Sequence, residues 1–507
     1  MSFVCPIVMK RRNVKMKLKI MAMALAAGLT VTALPGFIPQ NHSNVGLVAE
    51  AASVKECYVP VTLQKFDNPD DKSMGNAALI QMGKVVVDSE GKATLQLSFQ
   101  SLTYSGQTGY MGFFRSVDAD GEIIPATVLE EYTGFTDIYN DMTSAKFDKK
   151  LYNSKTKTAW YPKTVSIPVK AVYDNAGNVI GIDTDRIKVQ VYVPVMEVIS
   201  AGTGTQFADL DVKNGLFTGS QVVLDGSIKM NTYFNISDSF VADTNAKIEV
   251  STPDGRKDTF PIKKAVKGSD ANQYYVTTKI PAKDMTTNLT CSLIDGNGNA
   301  VDTFTTNLQD YAQKVIASDA AYETKILTAE LLNYGSRAQV YFSYNYDGND
   351  ETLANYVLSP LLMDTYEEVE ASDLAQYTYS ESGNMKDMTY YGTTLSFLSE
   401  ITMRHYFKLG SGDIKNHTFK IGNTTLTPKF DAGNNAYYVD ITGISAKDLD
   451  TEYALTVDGT YTLKYSALDY CNAVVKADKT ASAEKVKSKS KNLVKALFKY
   501  WQAAENV

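Results

Sequence analysis

Histidine and cysteine are the side chains best suited to metal binding and nucleophilic chemistry, and both are scarce in this chain of 507 residues. No two cysteines form a C-x-x-C pair, which argues against a zinc module of that type and against a disulfide framework. The motifs G-x-S-x-G and H-E-x-x-H do not occur. The residues concerned are His42, His405, His417, Cys5, Cys57, Cys291 and Cys471.

The histidines beyond the N-terminal segment are not predicted to be catalytic. His405 lies beside Tyr406 and Phe407, with no acid or nucleophile at motif spacing, and we expect a structural histidine on a strand. His417 lies in a polar segment that we expect to form an exposed hairpin. Scattered carboxylates leave open a glycosidase-like pair. The prediction is a protein that is not an enzyme, and a secreted hydrolase is the less favoured alternative.

The N-terminal segment has the three parts of a signal peptide. Basic residues cluster between Lys10 and Lys19, an apolar run extends from Ile20 to Leu34, and Ala49-Glu50-Ala51 forms an A-x-A cleavage site. The sequence therefore predicts a signal peptide over residues 1–51, cleaved near Ala51, with a start at Met16 as an alternative. The apolar run is shorter than the ~20 residues that span a bilayer. We expect a secreted or cell-envelope protein without a transmembrane anchor in the mature chain.

Composition and charge set the broad class of the protein. Hydrophobic residues make up 44% and charged residues 21% of the chain, which is typical of globular proteins. The length predicts about three domains. The net charge of −7 opposes binding to nucleic acid, because positive side chains must neutralise phosphates there.

Residues 57–212 have the pattern of an antiparallel sandwich. Apolar and polar residues alternate from Thr94 to Phe99, and again from Ile187 to Val195, as expected of strands with one buried face. Turn sequences such as Asp118-Ala-Asp-Gly121 separate the strands. Many short strands with regular turns indicate a sandwich.

The rest of the chain contains an internal repeat. Tyr274-Tyr-Val276 and Ala282-Lys-Asp-Met285 recur as Tyr437-Tyr-Val439 and Ala446-Lys-Asp-Leu449, in the same order and at similar spacing. Such ordered matches predict two copies of one fold, over 221–345 and 389–507. The acidic and polar segment 346–388 is predicted to link them.

Each repeat ends in helical patterns. Apolar residues recur at helical spacing from Leu308 to Ile316, from Leu327 to Tyr341 and from Leu493 to Ala504, and we expect each set to pack on its own sandwich. The predicted fold is mainly β: three antiparallel immunoglobulin-like β-sandwich units, the last two with appended C-terminal helices.

Five segments of the first unit together form a pattern that is known from one domain family. They are Tyr58-Val-Pro-Val-Thr-Leu63, Lys72-Ser-Met-Gly-Asn76, Lys84-Val-Val-Val-Asp-Ser-Glu-Gly91, Gly109-Tyr-Met-Gly112 and Ile187-Lys-Val-Gln-Val-Tyr-Val-Pro-Val-Met196. With these segments the first unit resembles a NEAT (near iron transporter) domain over about 150 residues. The two later units are similar to a repeat domain that accompanies NEAT domains in surface proteins of Gram-positive gut bacteria.

The resemblance implies a haem site between a short helix and the last hairpin. It places Ser73 and Met74 on the helix and the hairpin over Tyr192–Val212. The family's usual iron ligand is the first tyrosine of a Y-x-x-x-Y motif, but the stretch from Met196 to Leu210 contains no tyrosine. Thioether sulfur is a ligand that haem iron accepts, so Met74 and Met196 become the candidate iron ligands. The candidate cofactor-binding residues are Ser73, Met74, Tyr192 and Met196.

The sequence leaves three functions open. The first is an exported binding protein for haem or another flat apolar ligand. The partner would be haem or a haemoprotein in the first case. In the second, the sandwiches bind a glycan, a host surface component or a cell-wall component, and Tyr104 or Tyr110 supplies a stacking platform. The third is the hydrolase named above.

Overall fold

The computed structural model describes residues 55–104, 106–152, 160–199, 204–346, 348–360, 362, 366–397, 400–477 and 484–507. The predicted signal peptide over 1–51 lies outside these residues. Across them the fold is mainly β, with antiparallel sandwich units and C-terminal helices, which confirms the predicted fold class.

The first sandwich is built on thirteen described strands and one α-helix, with a 3₁₀ helix at Met74–Ala77 between the first two strands. They are β1 (Lys55–Lys65), β2 (Met82–Val87), β3 (Ala93–Ser98), β4 (Leu102–Tyr104), β5 (Gln107–Gly109), β6 (Phe113–Val117), β7 (Ile123–Pro125), β8 (Thr127–Glu131), β9 (Pro162–Val169), β10 (Ala171–Tyr173), β11 (Val179–Ile182), β12 (Arg186–Tyr192), helix α1 (Pro194–Ile199) and β13 (Thr205–Val212).

Strand β1 belongs to both layers of this sandwich. Its first half, up to Pro60, pairs with β2, and its second half, from Val61, pairs with β13. The sheet order is β7-β6-β12-β13-β1-β2-β3-β9-β8, so one sheet folds over at β1. Alternating side chains such as Val61, Leu95 and Leu210 fill the space between the layers.

The second sandwich begins at Gly215, six residues before the predicted boundary. Its described elements are β14 (Gly215–Leu224), β15 (Ile228–Ile236), α2 (Asp238–Ala242), β16 (Lys247–Ser251), β17 (Lys257–Pro261), β18 (Val266–Lys267), β19 (Gln273–Lys279), β20 (Leu289–Ile294), β21 (Ala300–Thr306), α3 (Leu308–Ala317) and α4 (Tyr322–Phe342).

The third sandwich follows a segment with two 3₁₀ helices. Its described elements are β22 (Ser380–Gly383), β23 (Met388–Phe397), β24 (Ile401–Leu409), β25 (Phe419–Ile421), β26 (Thr424–Leu426), β27 (Lys429–Asp431), β28 (Ala436–Ile444), β29 (Tyr453–Val457), β30 (Tyr461–Tyr465), α5 (Ala467–Lys476) and α6 (Glu484–Ala504).

The second and third sandwiches have the same strand order, as a duplication predicts. Sheet β14-β15-β19-β18 corresponds to β23-β24-β28-β27, and sheet β17-β16-β20-β21 corresponds to β26-β25-β29-β30 with β22 added at the edge. Each copy has a bulge where a glycine has positive φ, at Gly219 (149°) and at Gly392 (147°). The Tyr-Tyr-Val segments occupy matching registers, because Tyr274 pairs with Phe234 and Tyr437 with Phe407.

The long helices of the two repeats pack on each other, which differs from the prediction that each packs on its own sandwich. Tyr334 in α4 stacks on Tyr500 in α6 with ring centroids 5.7 Å apart, and both rings are buried. One continuous apolar core includes residues of both repeats and of both helices. The apolar stripe of each helix is therefore buried partly against the other copy.

The described residues of 346–388, a segment predicted to be a linker, form packed structure. It contains 3₁₀ helices at Asp350–Thr352 and Tyr366–Glu368, and Leu353 and Leu374 are buried. Its backbone is tied to α4, since the Ala354 N–H donates to Gln339 Oε1 at 2.8 Å. Because the segment is mostly polar, its composition did not indicate that a few apolar residues, such as Leu374, belong to the core.

Candidate functional site

A pocket of about 190 Å³ opens in the first sandwich between the 3₁₀ helix Met74–Ala77 and the connection from β12 to β13. These are the two elements that the sequence predicted to lie side by side. Ser73, Met74 and Met196 all line the pocket, and so do Tyr110 and Met111. Most other lining side chains are apolar, so the pocket suits an apolar ligand.

The 3₁₀ helix is held in place by a buried asparagine. Asn76 Oδ1 accepts hydrogen bonds from the Leu63 N–H at 2.8 Å and from Thr62 Oγ1 at 2.7 Å. Ser73 Oγ caps the helix by accepting from the Gly75 N–H at 3.3 Å. The helix is thereby tied to β1, and its first residue, Met74, remains 54% exposed at the pocket wall.

Met196 reaches the pocket from a helix and not from a strand as the alternation up to Val195 predicted. Strand β12 ends at Tyr192, and Pro194 begins α1. Proline suits the first position of a helix because the N–H it lacks would have no helical partner there. The turn is closed by the Val193 N–H, which donates to the Gly204 carbonyl at 2.9 Å. Met196 is half-buried on this helix.

Tyr192, predicted to bind the cofactor, does not line the pocket. Successive side chains of a strand point to opposite faces, and Val191 and Val193 are the neighbours that line it. Tyr192 is fully buried on the other side, where its hydroxyl donates to Asp148 and its ring stacks on Phe113 at 4.9 Å. Its assignment to the cofactor site was wrong, because it ignored this alternation.

Among the described residues, Tyr110 is the one tyrosine that lines the pocket. The sequence suggested only a stacking role at the surface for it. Its ring stacks on Tyr161 at 5.1 Å and meets Tyr132 edge-on at 5.2 Å. Burial, together with a hydrogen bond to Asp137, raises the pKa of Tyr161 well above its usual value. The available sequence signal was the position of Tyr110 within Gly109-Tyr-Met-Gly112.

The donor set of the pocket fits haem iron better than it fits a hydrated metal ion. Thioether sulfur comes from Met74 and Met196, and a phenol comes from Tyr110. Within the described ranges, no group of three or more His, Cys, Asp or Glu side chains is placed to hold a metal ion. Haem iron accepts methionine sulfur or tyrosine oxygen as a protein ligand.

The histidines and cysteines have structural positions. His405 is buried in β24, and its Nδ1 lies 2.6 Å from Thr393 Oγ1, which agrees with the expected structural role. Burial lowers the pKa of His405 to about 3, so it is neutral. His417 is not the exposed residue that was predicted, because its Nδ1 lies 2.8 Å from Asp458 Oδ2 and its side chain is mostly buried. Cys57, Cys291 and Cys471 are free and buried.

Comparisons with known proteins add little. No protein-family model matches the chain, and no curated protein matches it. Among solved structures, the chain is similar to a protein from Corynebacterium diphtheriae that is named only as membrane anchored. The identity is 8% and the TM-score 0.15, and the match covers 82% of this chain and 89% of that chain. A TM-score this low supports no argument about fold or function.

The length and hydropathy of its helices bear on whether the chain crosses a membrane. None of those in the described part of the chain combines the length and the apolar character that a bilayer span requires.

Proposed function

We propose that this protein is an exported cell-envelope binding protein whose first sandwich holds a flat apolar ligand, with haem as the leading candidate. The observation that carries the proposal is the exposure of Met74. Its side chain lies on the wall of an apolar pocket and is 54% exposed, although methionine is apolar. Val198 and Ile199 are also exposed at the end of α1. Contiguous exposed apolar surface beside a pocket is typical of a ligand or partner site.

The size of the pocket limits how the ligand is held. Enclosed sites for drug-sized ligands have volumes of about 300–1,000 Å³, and this pocket has about 190 Å³. A ligand as large as a porphyrin would therefore be held over only part of its surface. Ser73 Oγ already accepts a hydrogen bond, so its own proton would remain available to donate to a carboxylate of the ligand.

The ligand type determines which oxidation state of iron binds more tightly. Methionine sulfur is soft and neutral and favours ferrous iron, whereas a tyrosine phenolate is anionic and favours ferric iron. If Met74 or Met196 is the ligand, reduction tightens the complex. If Tyr110 is the ligand, reduction weakens it.

Titration of hemin into the full chain tests the proposal. Binding should produce a shifted Soret band, recorded before and after reduction with dithionite. Met74→Ala and Met196→Ala should each remove the shift in the reduced state. Met142→Ala is the matched control, because Met142 is 59% exposed and does not line the pocket. Tyr110→Phe removes the phenol and keeps the ring.

The outcomes separate three cases. Loss of the band in the methionine variants, with Met142→Ala unchanged, supports thioether ligation. Loss only in Tyr110→Phe transfers the ligand role to the phenol and keeps haem. A native protein that gives no Soret shift in either oxidation state defeats the haem proposal altogether.

A second function, docking of another protein at the same site, is favoured by the apolar rim around the pocket. Met74 and Ile199 line the pocket and are 54% and 48% exposed, and Val198 beside Ile199 is 59% exposed. The partner would be a haemoprotein or a surface component of the cell wall or host. Val198→Asp should slow haem transfer from methaemoglobin while leaving the affinity for free hemin unchanged. A variant that transfers haem at the native rate would contradict a docking role.

Export is part of the proposal and has its own test. N-terminal sequencing of protein from culture supernatant or washed cells should begin near Ala52. An intact N-terminus on protein retained inside the cell would contradict it.

A further inference from the structure

The second sandwich carries a strip of aromatic and apolar surface on the solvent-facing side of the sheet β14-β15-β19-β18. Residues directly opposite one another on neighbouring strands share one side of a sheet. One such row crosses all four strands and consists of Gly219, Tyr233, Tyr275 and Val266. The two tyrosine rings are partly exposed, with centroids 5.1 Å apart, and Val266 is 48% exposed. A Cβ on Gly219 would meet no atom beyond its chain neighbours within 4 Å, so the strip is open at that end.

The next row on the same side of the sheet is polar and uncharged. It consists of Gln221, Asn231 and Thr277, which lie in register with one another. Asn231 Oδ1 accepts from Thr277 Oγ1 at 2.7 Å, and Gln221 Oε1 accepts from the Tyr233 hydroxyl at 2.9 Å. These bonds engage the amide oxygens and orient both amides, whose N–H groups remain to donate to a ligand. Hydrogen-bonding groups thus lie directly beside the aromatic strip.

The two rows form a neutral band with a boundary on each side. Beyond the polar row lies a charged row, Lys229 and Lys279, whose ammonium groups are 2.6 and 3.1 Å from carboxylates and are therefore already paired. On the other side the band meets the first sandwich, where the Asn235 amide donates to the Gln81 carbonyl at 2.9 Å. Neither boundary offers an unpaired charge, so the band favours a neutral partner over an ionic one.

We propose that this band binds a neutral polysaccharide, with its sugar rings stacked on Tyr233 and Tyr275. The face of a sugar ring presents C–H groups, which pack on the negative face of an aromatic ring, and its edge carries hydroxyl groups, which bond to amides. The strip and the polar row beside it match these two parts of the ligand. Four strands at 4.7–4.9 Å spacing make the strip ~14 Å long. This length exceeds one sugar ring, so the ligand is a chain of sugars.

The third sandwich has the same scaffold but covers it with charge. Its matching row consists of Gly392, Tyr406, Tyr438 and Lys429. Arg404 lies over the ring of Tyr438 at 3.7 Å and is held there by two bonds to Asp440, at 2.7 and 3.1 Å. This ion pair stands where the second sandwich has Asn231 and Thr277. Tyrosine beside a strand glycine supports the sheet in both copies, whereas the open neutral band belongs to the second sandwich. It is independent of the function proposed for the first sandwich.

Affinity electrophoresis of the full chain, in native gels that contain a neutral polysaccharide, tests the proposal. The probes are mannan, laminarin, xyloglucan and hydroxyethyl cellulose, and at least one should retard the protein. Tyr275→Ala removes one stacking ring and should raise the dissociation constant for that polysaccharide about ten-fold. Tyr275→Phe keeps the ring and should bind within about two-fold of the native protein. Tyr438→Ala is the matched control, because it removes the same ring from the third sandwich, where Arg404 covers it, and it should leave binding unchanged.

A second variant keeps the test independent of any loss of folding in Tyr275→Ala. Asn231→Arg combined with Thr277→Asp copies the ion pair of the third sandwich, which folds with that pair in place. The new arginine should cover Tyr275 and abolish retardation, while the melting temperature stays near that of the native protein. The proposal is overturned if no polysaccharide retards the native chain, if the double variant is retarded as strongly as the native chain, or if Tyr438→Ala weakens binding as much as Tyr275→Ala.

Discussion

The contact between α4 and α6 predicts that the second and third sandwiches unfold as one cooperative unit. Tyr500→Ala perturbs this contact directly, because the ring of Tyr500 stacks on Tyr334 of the other copy with an interplanar angle of 7°. Both rings are buried, and truncating a buried aromatic side chain to alanine costs about 3–5 kcal/mol. The free energy of unfolding of both sandwiches should fall by that amount.

The chain has a thiol probe in each sandwich. Cys57, Cys291 and Cys471 are buried, one per unit, and react only when their unit opens. Burial raises the pKa of Cys57 to about 12 and that of Cys291 to about 11, and it also raises the pKa of Cys471. The reactive thiolate is therefore suppressed in the folded protein. Labelling rates measured by mass spectrometry then report the opening of each unit.

Tyr500→Ala should accelerate labelling of Cys291 and Cys471 together. A loss of 3–5 kcal/mol corresponds to an increase of about one hundred-fold to several thousand-fold. Cys57 should label at its native rate. Leu210→Ala is the control, because Leu210 is fully buried in the first sandwich and its truncation should accelerate Cys57 alone. If Tyr500→Ala accelerates only Cys471, the two repeats unfold independently and the inference of a shared unit is wrong.

Three further predictions concern single residues. The pKa of His405 is lowered by burial to about 3, so between pH 6.5 and 3 the unfolded chain binds more protons and stability falls as pH falls. His405→Thr, the residue found at the matching position 232, should therefore reduce the loss of unfolding free energy between pH 7 and pH 5 by about 2 kcal/mol in urea titrations. Gly335→Ala places a Cβ against Met285 Sδ. The overpacking should cost about 1–3 kcal/mol, and alanine gains about 1 kcal/mol in helix propensity. Because the cost outweighs the gain, the melting temperature should fall. Asn76→Ala leaves the Leu63 N–H without its partner and should destabilise the first sandwich by about 1–3 kcal/mol, again measured in urea.

The features that the sequence predicted correctly are those that depend on residues close together in the chain. The alternation around Leu95 and Leu97 identifies a strand and its buried face, and both side chains are fully buried in β3. The duplicated Tyr-Tyr-Val segments identify matching strands, and they occupy the same register in both copies. The short helix at Met74 was expected only from the resemblance to a known domain, and in the structure Ser73 caps it.

The features that the sequence missed depend on contacts between distant segments. The stripe that contains Leu331 and Tyr334 shows that one face of α4 is buried, but not that α6 covers part of it. In the same way, the polar composition of 346–388 gave no sign that Leu358 and Leu374 enter the shared core. Apolar periodicity specifies that a face is buried, and only the fold specifies what buries it.

The alternation of side chains along β12 also limits which residues can contact a ligand in the pocket. Val191 and Val193 line the pocket, so Tyr192 between them must face away, and its hydroxyl is already bound to Asp148. Tyr192 is therefore excluded as an iron ligand by strand geometry alone. Among the described residues that line the pocket, Tyr110 is the one tyrosine. It lies in the connection between β5 and β6 and not in the last hairpin. If the pocket holds haem as proposed, comparison of Tyr110→Phe with Met74→Ala decides between an anionic and a neutral iron ligand, and therefore which oxidation state of the iron binds more tightly.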